Sequence, residues 1–375
     1  MKKVVVVPDS FKGTISSYQV CEIIENCVST HFPSCQVVKI PVADGGEGSV
    51  DCFLNSVDGE KVSVLVNDPY KNKIEASYGL IDGGKTAVIE MAACAGLPLV
   101  EGKENPLETT TYGVGELMLD AANRGCDKII MCLGGSCTND MGFGAAAATG
   151  VRFFDKEGNS FVPVGETLIH IEKIDISGRD KIFDNIKIVT MCDIDNPLYG
   201  EKGAAYVFAP QKGADENQVK FLDEGLRHCA DIIKKDLNTD VSLLKGAGAA
   251  GGMGAGMAAL FDAQLKSGIE TVLDTVGFDD KIASADIIFT GEGRLDSQSA
   301  DGKVISGVAK RARKKNIPVI AVVGGYDENL KAVYDMGVTA VFATNREPVS
   351  FEKIKGRSKE NLALTVDNIL RIIKW

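Results

Sequence analysis

Three short polar clusters each follow directly on an apolar run, and their residue types suit anions, metal ions or proton transfer. In residues 9–14 (DSFKGT), Lys12 is a cation among small residues, suited to a carboxylate or a phosphate. Gly13 and Thr14 add backbone amides near a helix start, a second anion-binding feature, with Asp9 and Ser10 beside them. A plainer reading has Ser16 capping the helix and Lys12 in solvent, and the sequence leaves both open. In residues 44–48 (DGGEG), Asp44 and Glu47 flank paired glycines, so these carboxylates could hold magnesium or accept a substrate proton. Acidic residues compensating a helix N-terminus would look the same. Residues 291–296 (GEGRLD) set Glu292, Arg294 and Asp296 alternately around a tight turn, where a surface salt bridge is the plain alternative.

The middle of the chain has its own candidates. Residues 134–140 (GGSCTND) follow the apolar run 128–133 and precede a run of small residues. Amides of Gly134 and Gly135 with the hydroxyls of Ser136 and Thr138 could cradle phosphate oxygens. The segment is not a Walker A sequence, because no Gly-Lys-Ser/Thr follows a four-residue gap. A packed turn into a helix is the alternative. Residues 246–251 (GAGAAG) formally match a dinucleotide fingerprint, with Glu270 at a suitable distance, but no convincing strand precedes them. Asp193 ends the short apolar run 188–191 and is a further cleft acid.

These clusters need strands to present them. Residues 4–7, 37–41, 286–290, 318–323 and 340–343 read as buried strands, and amphipathic stretches 16–29, 304–315, 330–336 and 360–374 read as helices. Alternation of strand and helix predicts a parallel sheet. Residues 62–67, 73–81 and 86–91 show strand alternation with short connections, closer to antiparallel pairing. We therefore expect an α/β protein with a discontinuous Rossmann-like domain (1–66 plus 283–375). An inserted α/β domain of mixed sheet (67–282) completes it, with the active site in the cleft between the two. In open α/β sheets ligands bind beyond the carboxyl ends of the strands, where the three terminal clusters converge.

Composition narrows the function. At 375 residues, with 45% hydrophobic and 25% charged residues, the chain is an ordinary soluble type with room for two cores. A net charge of −11 argues against nucleic acid as a partner, yet local cations can still dominate a cleft. Ten cysteines without a CxxC or zinc-like spacing point to reduced thiols and a cytoplasmic location. The first apolar run is too short for a signal peptide or a membrane span. The three histidines lie in no motif, which makes a Ser-His-Asp triad or a histidine-rich metal site improbable.

Eight segments in order from Pro8 to Lys303 carry a family resemblance: PDSFKGTISS, PVADGGEG, TTYGVGEL, GGSCTND, CDIDNPLYG, FAPQKGA, GAGAAGGMG and TGEGRLDSQSADGK. Together they resemble the type I glycerate kinases. The resemblance implies a two-domain α/β enzyme that uses ATP and Mg²⁺ to phosphorylate D-glycerate, giving 2-phospho-D-glycerate and ADP. It implies Asp9, Ser10, Lys12, Glu47, Glu292, Arg294 and Asp296 around glycerate. Gly134, Gly135, Ser136 and Thr138 would then hold the nucleotide, with Asp44, Glu47 or Asp193 as base or metal ligand. Lys12 and Arg294 would hold the glycerate carboxylate or the γ-phosphate. Cys137 stands where alanine is usual, and Met141 where glycine or alanine is common, so both add bulk beside the presumed phosphate loop. A nicotinamide oxidoreductase and a non-catalytic sugar-acid-binding protein remain the alternatives.

Overall fold

The structure, a computed structural model, describes residues 1–42, 46, 48–295, 304–327, 330–345 and 350–375. Its first seven strands are β1 (Lys3–Pro8), β2 (Gln36–Lys39), β3 (Gly59–Asn67), β4 (Lys73–Ile81), β5 (Thr86–Glu90), β6 (Lys128–Cys132) and β7 (Arg152–Phe154). Then follow β8 (Ser160–Phe161), β9 (Lys173–Asp175), β10 (Lys187–Met191), β11 (Gln264–Lys266), β12 (Ile287–Gly291), β13 (Val319–Val323) and β14 (Ala340–Ala343). The described residues fall into two compact units, one from Met1–Asp44, Asp51–Val57 and Gly268–Trp375, the other from Gly45–Val50 and Asp58–Ser267.

The first unit is built on a parallel sheet in the order β14-β13-β12-β1-β2. Val4 to Val7 of β1 are fully buried, as expected of a β-branched run covered on both faces. Helix Ser17–His31 starts where Ser16 accepts the Gln19 N–H and Gln19 reaches back to the Ser16 backbone, a capping box. Its apolar stripe, Val20, Cys21, Ile24 and Val28, packs with Leu362, Val366, Ile369 and Leu370 of the closing helix over one sheet face. From β1 the chain steps to β2 on one side, whereas β12, β13 and β14 extend the other way. The order therefore reverses between β1 and β12, which makes their carboxyl ends the switch point.

The second unit carries a mixed sheet in the order β11-β10-β6-β5-β4-β3 and a small antiparallel sheet β8-β7-β9. β3 and β4 form a long hairpin whose turn is held by Asp68, its carboxylate accepting from the Tyr70 and Asn72 N–H groups. β5 departs from purely antiparallel pairing: it meets β4 antiparallel but β6 parallel. The reason is connectivity, since helix Tyr112–Asn123 crosses over between β5 and β6 while a tight turn joins β4 to β5. After β2 the chain forms helix Ser49–Ser56. Among the described residues no helix is long and apolar enough to cross a membrane.

Candidate active site

At the switch point of the first unit, backbone pairing carries past the strands and fixes two of the three terminal clusters. Pro8 lies opposite Gly291, the Asp9 N–H donates to the Gly291 carbonyl at 2.8 Å, and the Thr290 hydroxyl donates to the Val7 carbonyl at 2.8 Å. Phe11 and Ile15 are buried and bond to each other through main-chain groups, so residues 11–15 form a tight loop with Lys12 on its exposed side. Asp9 turns its carboxylate back to accept the Ser10 N–H at 2.6 Å. The loop after β12 lies against this one, with Gly293 packed beside the Phe11–Lys12 backbone. Gly291 admits no side chain, because a Cβ there would stand 2.0 Å from the Val322 carbonyl oxygen. The third partner is the loop after β13, bonded through Gly324 N–H to Glu292 O and Leu295 N–H to Gly325 O.

The structure thus brings Asp9, Ser10, Lys12, Glu292 and Arg294 to one end of one sheet. Glu292 is buried, and Arg294 is exposed and ion-paired to Asp327 at 2.9 Å. Ser16 does cap its helix, so that plain reading holds alongside the gathering of Lys12 with its neighbours. Asp44, Glu47 and Asp296 lie outside the described residues.

In the second unit residues 134–140 leave the carboxyl end of β6. The loop is pinned to the preceding segment by Leu97 N–H to Gly135 O and Cys137 N–H to Ala95 O. Gly135 is exposed and Gly134 partly so, whereas Ser136 and Thr138 are buried. The two glycines are therefore the part of this loop that solvent reaches most. Cys137 and Met141 are buried too, so the bulk they add goes into the interior; burial pushes the Cys137 thiol up to about 12.

Asp140, fully buried, anchors the far end. Its carboxylate accepts from the Thr111 N–H (2.7 Å) and hydroxyl (2.8 Å), the Thr110 hydroxyl, and the Gly142 and Gly144 N–H groups. Burial pushes this carboxyl up from its ordinary value, while those donors pull it back. The TTYGVGEL segment thus acts by holding Asp140. Asp140, Thr110 and Thr111 escaped sequence reasoning because their contacts span about thirty residues, a separation no local pattern reveals.

Residues 246–251 are not a dinucleotide loop. The element directly before them is helix Glu216–Leu237 and not a strand, and Ala250, Gly251 and Gly252 take positive φ inside helix Ala249–Phe261. A Cβ at Gly251 would lie 2.1 Å from the Thr138 carbonyl oxygen, so glycine is there to let this backbone press on the 134–140 loop. Glu270, the expected ribose acid, is instead paired with Arg311, which also bonds Asp274 and Asp279. These groups line an open groove of about 690 Å³ that, Glu270 apart, contains none of the predicted site residues.

Asp193 follows β10 on the same sheet as the 134–140 loop, exposed, accepting from the Ser267 hydroxyl at 3.0 Å. Glu90 ends β5 beside Cys132 and accepts the Val50 N–H at 2.6 Å, a strand-end acid that the sequence pattern did not single out. Among the described residues no three acidic, histidine or cysteine side chains converge on a metal-sized site. Magnesium needs only one or two protein carboxylates beside its other ligands, and Asp193 presents one exposed carboxylate after β10. His31 is bonded to Asp367 and His228 to the Ile171 carbonyl, both away from the predicted clusters.

The sequence model described as the glycerate kinase family matches residues 4–374. The chain is 47% identical over 373 residues to a protein of Bacillus cereus named glycerate kinase, covering 99% of this chain and 98% of that one. It is 44% identical over 342 residues to the glycerate 2-kinase of Escherichia coli, covering 91% and 90%. A crystal structure provisionally named glycerate kinase 2 from Salmonella typhimurium LT2 superposes with a TM-score of 0.89 at 41% identity, covering 100% of this chain and 98% of that one.

Proposed function

Because the chain belongs to the glycerate kinase family, we propose that it transfers the γ-phosphoryl group of ATP to the 2-hydroxyl of D-glycerate, giving 2-phospho-D-glycerate and ADP. The observation that carries this reading is the switch-point cluster of Asp9, Ser10, Lys12, Glu292 and Arg294, in a chain matched by that family over residues 4–374. The cluster offers cations and hydrogen-bonding groups of the kind a small hydroxy acid requires. Neither a nicotinamide oxidoreductase nor a binding-only protein has comparable support, the first having lost its fingerprint to backbone packing.

Phosphoryl transfer demands alignment and charge stabilisation more than covalent help. The 2-hydroxyl oxygen of glycerate attacks the γ-phosphorus in line, and the bond to the bridging oxygen of ADP breaks. Lys12 and Arg294 hold the glycerate carboxylate or the γ-phosphate. Asp9, Ser10, Glu292 and, from the sequence, Glu47 and Asp296 orient the hydroxyls. Amides of Gly134 and Gly135, with Ser136 and Thr138, hold the nucleotide phosphates. The hydroxyl proton passes to a carboxylate, with Asp44 first and Asp193 second. Magnesium, held by Asp44 or Asp193 with the phosphates, would neutralise charge on the transferred group. All ten cysteines are free, which suits a reducing cytoplasm. The test is ADP release from ATP that depends on D-glycerate. Equal release without glycerate sinks the proposal.

A further inference from the structure

Lys212 lies in the FAPQKGA segment, to which the proposed reaction assigns no role. It ends the short turn Pro210–Lys212 and is 1% exposed. Its ammonium donates to the Thr138 carbonyl at 2.6 Å across 74 residues, and no carboxylate lies within 4.0 Å of it among the described residues. Burying an ammonium without a carboxylate partner is costly, and a neutral donor would hold the same carbonyl more cheaply. The loop above it has spare capacity. The Thr138 hydroxyl and both polar atoms of the Asn139 side chain are buried without a hydrogen-bond partner among the described residues. In a trans peptide the carbonyl and the following N–H point in opposite directions, so fixing the Thr138 oxygen on Lys212 also fixes the Asn139 N–H.

We propose that Lys212 is a positioning residue for the nucleotide loop: its buried positive charge fixes the Thr138 carbonyl and favours a bound phosphate on residues 134–138. The inference rests on the nucleotide reading of that loop given above. Burial lowers the lysine to about 8, opposed by the neighbouring Cys137 and Asp140. Glu104 also packs there, though by its backbone and Cβ against Gly213. The Cys137 thiol, pushed up to about 12, stays protonated around pH 8, whereas burial also raises Asp140, so it is the loss of the pH limb in the Lys212 variants that assigns it to the lysine. Because the folded value is depressed, the unfolded chain holds the proton more tightly above pH 8, so this residue makes stability rise with pH there. Phosphate binding should fall over the same interval, the opposite direction, which a purely structural lysine would not produce.

The experiment compares wild type, Lys212→Met, Lys212→Gln and Ser136→Ala in melting temperature, KM for ATP, KM for glycerate and the pH profile of kcat/KM for ATP. Wild type should lose kcat/KM for ATP as pH rises through about 8. Lys212→Met should raise the KM for ATP about tenfold at pH 7, leave that for glycerate unchanged and lose the pH limb. Lys212→Gln, which keeps a donor but no charge, should resemble Lys212→Met. Wild-type ATP kinetics in Lys212→Gln, or a wild-type profile flat between pH 7 and 9, overturns the proposal even if Lys212→Met fails to fold. A raised KM for ATP in Ser136→Ala with normal ATP kinetics in both lysine variants removes the lysine claim alone. Normal ATP kinetics in all three removes the loop assignment with it.

Discussion

Arg294 reaches Asp327 with one guanidinium nitrogen at 2.9 Å, joining the loop after β12 to the loop after β13. Both side chains are substantially exposed, at 75% and 49%, and exposed pairs of this kind contribute about 0–1 kcal/mol. Arg294→Ala should therefore change the urea-melt stability by less than about 1 kcal/mol while raising the KM for glycerate about tenfold or more. An unaltered glycerate KM would return Arg294 to a surface ion pair.

Lys12 stands on the exposed side of a loop whose buried anchors, Phe11 and Ile15, do the folding work. Lys12→Ala should cost about two to three orders of magnitude in kcat/KM, as loss of a charge-stabilising group commonly does. The melting temperature should stay near wild type. Full activity in a folded Lys12→Ala enzyme would take Lys12 out of the site.

Much of the first unit was legible because its strands are short, wholly apolar runs bounded by turn residues, as Val4 to Val7 before Pro8 shows. The cap at Ser16 was equally local. What escaped was held by distant contacts. Asp140 is gripped from Thr110 and Thr111, and Lys212 reaches Thr138, so none of these roles leaves a mark within one window of sequence. The glycine run 246–251 matched a fingerprint while serving close packing, because glycine answers both demands and sequence records only the residue.

Gly251 supplies a test of that packing. A Cβ there would lie 2.1 Å from the Thr138 oxygen, at a φ of 68° that L side chains rarely adopt. Gly251→Ala should destabilise the protein by about 2–4 kcal/mol in urea melts. Wild-type enzyme should show no saturable binding of NAD or NADP by calorimetry. An unchanged melt would contradict the packing account, and micromolar NAD affinity would reopen the oxidoreductase reading.

The two candidate bases separate by neutralisation. Asp44→Asn removes a charge while keeping the side chain's size, and should cut kcat by about two orders of magnitude or more with an unchanged melt. Asp193→Asn, at an exposed position already bonded to Ser267, should chiefly raise the magnesium concentration needed for half-maximal rate. The reverse pattern would exchange the roles of the two carboxylates.

Phosphorus NMR of the product formed from ATP and D-glycerate tests the central claim most directly, because it reads activity and position together. The expected result is one new phosphomonoester at the 2-position, in amounts equal to the ADP formed. A signal from the 3-phosphate, or ADP without a phosphorylated glycerate, would contradict it.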